Sequence, residues 1–170
     1  MVDYLLVLAR MEDGQNVTRL ERVRLGELID ATWLTSAGKA SARGISMESV
    51  VPTDLACTAD LDTLAMIFTN LFENAAEYAN NGGHIQVRAG RKNRSVEISV
   101  ANTGCQLTHE DTRHVFERFW RGDAARTNTG IHCGLGLALV QRATAGLGGT
   151  VSAEVIDGTF TIRLTLPSAC

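Results

Sequence analysis

"NLFENAAEYA", residues 70–79, is the stretch on which the reading of this chain turns. Asn70 and Asn74 stand one helical turn apart, so on a helix both amides leave from one face. Asn is a mediocre helix former, because its amide competes for nearby backbone groups. The stretch nevertheless sits inside the strongest helical pattern of the chain, residues 60–79. Asp60 suits an N-cap there, and Leu61, Leu64, Ile67, Phe68, Leu71 and Phe72 make an apolar stripe. An amide oxygen is a hard, neutral ligand suited to Mg²⁺, which usually keeps several waters and takes its other ligands from phosphates. A plain pair of solvent-facing polar residues is the competing reading.

Outward from this helix, hydrophobic periodicity sets the other elements. Residues 2–13 carry Val2, Leu5, Leu6, Leu8 and Ala9 at helical spacing, stopped by Gly14, and read as the end of a longer helix. A short strand is expected over 17–24. A second helix is expected over 25–38, with Leu25, Leu28, Ile29, Trp33 and Leu34 on one side. Residues 44–50 and 54–58 are strand candidates around Pro52. "HIQVRAG" (84–90) and "SVEISVA" (95–101) alternate with period two and predict a hairpin, with the basic "GRKNR" (90–94) as its solvated turn. "THEDTRHVFERFW" (108–120) predicts a helix with Thr108 as N-cap and Asp111 three residues on. Residues 121–133 have no periodicity and read as a mobile loop. A helix over 134–147 and a hairpin turned at Asp157-Gly158 complete the chain. The expected fold is α+β: a two-layer sandwich with a mixed, mostly antiparallel sheet covered by three helices on one face.

Composition narrows the function classes. The chain has 170 residues and a formal charge of −3, without the basic footprint of a nucleic-acid binder. No apolar run approaches the ~20 residues of a membrane span, and the N-terminus has no signal-peptide pattern. Cys57, Cys105, Cys133 and Cys170 lack CxxC spacing, which argues for reduced thiols in a cytoplasmic compartment. Cys105, His109, His114, His132 and Cys133 fit no standard metal spacing.

"HCGLGLALVQ" (132–141) places Gly134 and Gly136 at a helix start. Free backbone N–H groups and the positive helix end make an anion site there, and glycine lets a phosphate approach. A plain helix start fits equally well. A dinucleotide fingerprint is excluded, because no strand precedes the stretch and Leu139 holds the last glycine position. No GxxxxGK[ST] loop occurs.

Taken together, these stretches resemble the catalytic and ATP-binding domain of a bacterial sensor histidine kinase, in the superfamily shared with DNA gyrase and the large heat-shock chaperones. "NLFENAAEYA" resembles the N box, "VANTGCQL" (100–107) the G1 box, "VFERFWRGD" (115–123) the F box and "GIHCGLGLALV" (130–140) the G2 box. "GGTVSAEV" and "GTFTIRLTLP" resemble the closing hairpin. The phrasing of G1 looks most like the heavy-metal (copper and silver) sensor kinases. "LLVLARMEDGQ" is similar to the end of the second dimerisation helix, so residues 1–14 are expected to be that remnant and 15–170 the ATP-binding domain.

The resemblance implies Mg-ATP as ligand and makes Asn74 the Mg²⁺ residue. It puts Asn70 where gyrase-type relatives carry a general-base Glu. An amide cannot take a proton from water, so the site should hydrolyse ATP poorly and hold it for a histidine. Tyr78 and Gly134, Leu135, Gly136 and Leu137 match positions near the phosphates. Asn102, Gly104 and Leu107 come from the G1 match. Phe116, Phe119 and Arg121 come from the F box, whose aromatics fasten an ATP lid.

Departures are visible. The usual G1 Asp, which accepts from the adenine amino group, is Asn102, and the second G1 glycine is Gln106. His132 replaces the first glycine of the usual GxGLGL run, and Glu77 stands where a basic residue is common. No His-Glu/Asp-x-Arg-x-Pro stretch carrying a phosphoacceptor histidine occurs, so a catalytic fragment without its acceptor is expected. Its expected partners are the dimerisation domain of the same parent and a response regulator, with no nucleic acid. The fragment is expected to be monomeric, the cytoplasmic part of an inner-membrane sensor. Two other readings compete. One is a degenerate pseudokinase module for protein interaction. The other is an anti-sigma-factor serine kinase, against which residues 2–13 argue.

Overall fold

The computed structural model describes residues 19–122 and 134–169. The expected helix over 2–13 and most of the expected 121–133 loop lie outside these residues. In chain order come β1 (Glu21–Arg24), α1 (Leu25–Ala42), β2 (Ser46–Val50), β3 (Ala56–Ala59), α2 (Leu61–Tyr78), β4 (His84–Lys92), β5 (Ser95–Thr103), α3 (Gly136–Gly146), β6 (Thr150–Ile156) and β7 (Thr159–Pro167). A short 3₁₀ turn, Asp111–Arg113, lies between β5 and α3.

Five strands form the main sheet in the order β2-β4-β5-β7-β6. Only β2 and β4 pair in parallel, because the chain crosses through α2 between them; the other pairs are antiparallel. β1 and β3 make a separate antiparallel ladder. A single bridge between Cys57 and Ser168 connects β3 to the residue just after β7. Alternation sorts the sheet faces: Val96, Ile98 and Val100 of β5 and Phe160, Ile162, Leu164 and Leu166 of β7 point into the core. On the opposite face Arg163 bridges Glu154 (2.7 Å) and Glu97 (3.3 Å), and Lys92 also meets Glu97. Such exposed pairs are worth about 0–1 kcal/mol each.

α2 is the central helix. Asp60 caps it, its carboxylate accepting from Thr63 N (2.9 Å) and Thr63 Oγ1 (2.7 Å). Leu64, Ile67, Phe68, Leu71, Phe72 and Ala75 are buried at the i, i+3, i+4 spacing, against α1 on one flank and α3 on the other. Phe68 and Phe72 are fully buried, which at about 1.5–3 kcal/mol each makes them leading contributors to the core. Trp33 of α1 meets Phe72 edge-on, with centroids 5.5 Å apart.

Several expectations need correction. Leu34 and Leu61, assigned to apolar stripes, are 74% and 43% exposed. Leu34 follows Trp33 by one position, which turns it about 100° away from the buried face, and Leu61 lies in the first turn of α2. The 108–120 helix does not form. Thr108 and Asp111 do make reciprocal bonds, but only the 3₁₀ turn follows. The turn of the first hairpin is shorter than "GRKNR", since the strands run to Lys92 and restart at Ser95. The second hairpin does turn at Asp157 and Gly158, both at positive φ as a two-residue turn requires. Among the described residues no helix is long and apolar enough to cross a membrane.

Candidate functional site

α2, the end of β5, the turn around Asp111 and the start of α3 enclose a cavity of about 500 Å³. That is the size range of small-molecule sites. The helix lends it one face: Asn70, Glu73, Asn74 and Glu77 follow at i, i+3, i+4 and i+7, with Tyr78 beside them. Asn70 is buried, and its Nδ2 donates to Met66 O one turn back (2.8 Å). The carbonyl end of the amide therefore faces away from its own helix. It faces Gly136, where a Cβ would come within 3.1 Å of Asn70 Oδ1. The first residue of α3 must be small for the two helices to meet here. Gly136 and Leu137 line the cavity, and among the described residues no side chain caps this helix start.

Asn102 sits deeper. It continues the core-facing row Val96, Ile98, Val100 at the open end of β5 and is 3% exposed. Gly104 follows at φ +85, so tightly against Asn80 that a Cβ would stand 2.5 Å from Asn80 Cβ. Asn80 Oδ1 accepts from Thr103 Oγ1 (2.8 Å), whose oxygen accepts from His84 N (2.9 Å). This network fixes the backbone from which Asn102 projects.

Gly134, at φ +71, locks the approach to α3. Its carbonyl accepts from Phe119 N (2.9 Å), and a Cβ would stand 2.8 Å from the Phe119 and Trp120 backbone. Phe119 itself is held at φ +64, unusual for a bulky residue, and is 63% exposed.

Of the residues singled out from the sequence, the cavity is lined by Asn70, Asn74, Tyr78, Asn102, Gly104, Leu107, Arg121, Gly134, Gly136 and Leu137. Three others stand off it. Leu135 is buried in the core, Phe116 packs against the core, and Phe119 points outward. The lid-fastening role expected of Phe116 and Phe119 concerns residues that lie largely outside the described ones. Cys133 and His132 lie there too.

Sequence reasoning missed Arg43, Glu73, Cys105, Thr108, Asp111, Val115, Trp120 and Phe160 as cavity residues. Glu73 was findable, since it shares the face of the Asn pair. Arg43 was not. From the end of α1 its guanidinium reaches Ala76 O (2.6 Å), Glu77 O (2.7 Å), Ala79 O (2.7 Å) and Asn81 Oδ1 (3.0 Å). It thereby satisfies the orphan carbonyls of α2, which has no basic residue in its own last turn. Glu77 pairs with Lys39, also of α1, so its charge at the cavity rim is compensated. Thr108 N–H and hydroxyl donation holds the Asp111 carboxyl below the usual range. Burial raises the Cys105 thiol, which keeps it protonated.

Comparison with known proteins agrees with this geometry. Residues 59–169 match the family model "Histidine kinase-, DNA gyrase B-, and HSP90-like ATPase". The chain belongs to that family. It is 30% identical over 169 residues to the sensor-like histidine kinase SenX3 of Mycobacterium tuberculosis, covering 99% of this chain and 41% of SenX3. To BaeS of Escherichia coli, a signal transduction histidine-protein kinase, it is 27% identical, covering 98% of this chain and 36% of BaeS. Among solved structures, full-length ShkA in complex with AMPPNP superposes with a TM-score of 0.84 at 26% identity, covering 99% of this chain and 35% of ShkA. Histidine kinase ThkA, solved with the response regulator TrrA, gives 0.75 at 21% identity, covering 99% of this chain and 49% of that one. Over nearly its whole length the chain thus resembles the catalytic ATPase part of these sensor histidine kinases, and it spans about two fifths of their length. Family membership implies ATP binding. Neither SenX3 nor BaeS is a heavy-metal sensor by name, and the likeness to copper and silver kinases gains no support from them.

Proposed function

We propose that this domain binds Mg-ATP in the cavity and passes the γ-phosphoryl group to a histidine on a dimerisation domain of its parent protein. One observation carries the reading: Asn70 Oδ1 stands against Gly136, so that polar amides meet an uncapped helix start with no side chain between them. Gly134, Gly136 and Leu137 would take the phosphate chain on backbone N–H groups. Asn102, with Gly104 and Leu107, would take the base.

The residues fit Mg²⁺ as well as phosphate. Asn74 offers a neutral amide oxygen at the cavity wall and makes no hydrogen bond among the described residues. Mg²⁺, when bound, supplies charge neutralisation for the triphosphate. Asn70 has no proton-accepting capacity, so water at the γ-phosphate finds no base there. The reaction needs none. An imidazole nitrogen attacks phosphorus, the bond to the β-phosphate oxygen breaks, and ADP leaves. Tyr78 and Arg121 also line the cavity.

Residues 1–14 are proposed as the end of a dimerisation helix, and the parent as a membrane-bound sensor with this domain in the cytoplasm. A response regulator is the proposed downstream partner, in line with the ThkA complex with TrrA. A copper or silver input rests on the wording of the G1 stretch alone.

The test is phosphorylation in trans. With labelled Mg-ATP, the domain should place acid-labile phosphate on a separately supplied dimerisation domain of its parent. Absence of label despite measured ATP binding would overturn the phosphotransfer reading. A second reading is a degenerate module with weak nucleotide binding. Glu73, Glu77 and Asp111, three carboxylates lining the cavity, favour it. A nucleotide thermal shift separates the two, since only the first predicts a clear stabilisation.

A further inference from the structure

The end of β5 holds a polar side chain where the pattern calls for an apolar one. Val96, Ile98 and Val100 alternate into the core, and Asn102 takes the next inward place. Its strand neighbours are Ile85 on β4 and Phe160 on β7. It is 3% exposed, yet its amide is almost without internal partners. Nδ2 reaches only the carbonyl of the adjacent Thr103, at 3.5 Å, and among the described residues nothing donates to Oδ1. The amide oxygen therefore meets no donor from the described residues and is open to one that enters the cavity. The lining of the cavity it faces includes its apolar strand neighbour Phe160, with Val115 and Leu107. Apolar walls around one buried hydrogen-bonding group suit the edge of a planar heterocycle, and the helix start at Gly136 suits the anionic end of the same ligand.

An amide differs from a carboxylate at such a position in a definite way. A carboxylate only accepts. It pairs with an exocyclic amino group and repels a carbonyl. The amide has one end of each kind, and a half-turn of χ2 exchanges them. The 3.5 Å contact to Thr103 O is too long to hold one orientation against the other.

We infer that Asn102 makes this a dual-purine site: its amide accepts from a 6-amino purine and, flipped, donates to a 6-oxo purine. The inference rests on the nucleotide reading above and goes beyond it by setting the class of base. GTP and ITP are then competitive ligands at this site.

Competition against a fluorescent ATP analogue, in the presence of Mg²⁺, tests this with ATP, GTP and ITP. ITP is decisive, since it lacks the 2-amino group of guanine and changes only the edge in question. ITP should bind within about thirtyfold of ATP, because the flipped amide leaves no buried group unpaired. In Asn102→Asp the ITP-to-ATP ratio of dissociation constants should rise by on the order of tenfold or more, as the carbonyl meets a carboxylate. ITP binding more than thirtyfold weaker than ATP in the parent overturns the inference while leaving ATP binding standing. So does an unchanged ratio in the variant. Failure of ATP itself to bind overturns the nucleotide reading, and this inference with it. Should Asn102→Asp not fold, the ratio in the parent decides alone.

Discussion

Asn70 Oδ1 stands where any side chain on Gly136 would begin, with 3.1 Å between that oxygen and a Cβ placed on the glycine. The central helix and the helix that follows the 3₁₀ turn therefore meet through an amide and a hydrogen atom. Elsewhere in a helix Gly→Ala gains about 1 kcal/mol. Here that gain opposes a tight contact, and the added methyl narrows the approach to the backbone N–H groups of the helix start.

Gly136→Ala should therefore remain folded, with stability within about 1 kcal/mol of the parent. Its nucleotide affinity should fall at least about tenfold, a loss of about 1.4 kcal/mol. Calorimetric titration with Mg-ATP, beside a urea unfolding curve, separates the two effects. Undiminished affinity would mean that phosphate does not use this helix start.

Asn74 gives a cleaner separation. It is half-buried at the cavity wall and makes no hydrogen bond among the described residues, so Asn74→Ala should leave the fold intact. If its oxygen holds Mg²⁺, the variant should bind ATP with the same affinity whether Mg²⁺ or a chelator is present. The parent should bind far better with the metal. Equal metal dependence in both proteins would sink the assignment.

Arg43 should matter for stability more than any other charged residue described. Its four hydrogen bonds, 2.6–3.0 Å long, go to three backbone carbonyls and one side chain. Bonds from a charged donor are worth about 1.5–3 kcal/mol each, but bonds sharing one group do not add. Arg43→Ala is expected to lose about 2–4 kcal/mol in urea unfolding. Arg43→Lys should recover only part of it, because an ammonium lacks the planar fork. A loss below about 0.5 kcal/mol would place Arg43 among ordinary surface residues.

Asp60 links the fold to acid. Its carboxyl is held below the usual range, first by the Thr63 backbone N–H and further by the Thr63 hydroxyl and Arg19 N–H. A depressed folded value means a stabilisation present above the unfolded pKa of about 3.9 and lost as pH falls through the folded value. Asn also caps helices well, so Asp60→Asn removes the charge and keeps an acceptor. The variant should be slightly less stable than the parent at pH 7, and that gap should close as pH falls below about 4. Thermal melts across that range check it. A gap that persists unchanged at low pH would show that charge on Asp60 contributes nothing.

What the sequence revealed was whatever depends on near neighbours. The Asp60 cap, the buried stripe from Leu64 to Phe72 and the Asp157-Gly158 turn each rest on residues within a few positions, and each was legible. The 108–120 stretch shows the limit. Its Thr108 and Asp111 bond as a helix start does, yet Val115 is drawn into the core, Trp120 lines the cavity and Phe119 is turned to positive φ against Gly134. Tertiary contacts override the local signal there. In the cavity, the face of α2 could be read from spacing alone. Asp111, Phe160 and Arg43 could not, because their arrival depends on strand register and on the crossing of α1 with α2.

The Arg43 staple also orders events in time. The carbonyls it holds come 33 to 36 residues later in the chain, at the end of the helix that carries Asn74 and Tyr78. That last turn has no local substitute for the guanidinium, so it frays whenever the end of α1 lifts away. The two helix ends form one cooperative opening unit, and amide hydrogens on both should exchange with solvent at a common rate, slower than the exposed hairpin turns and faster than the middle of the sheet.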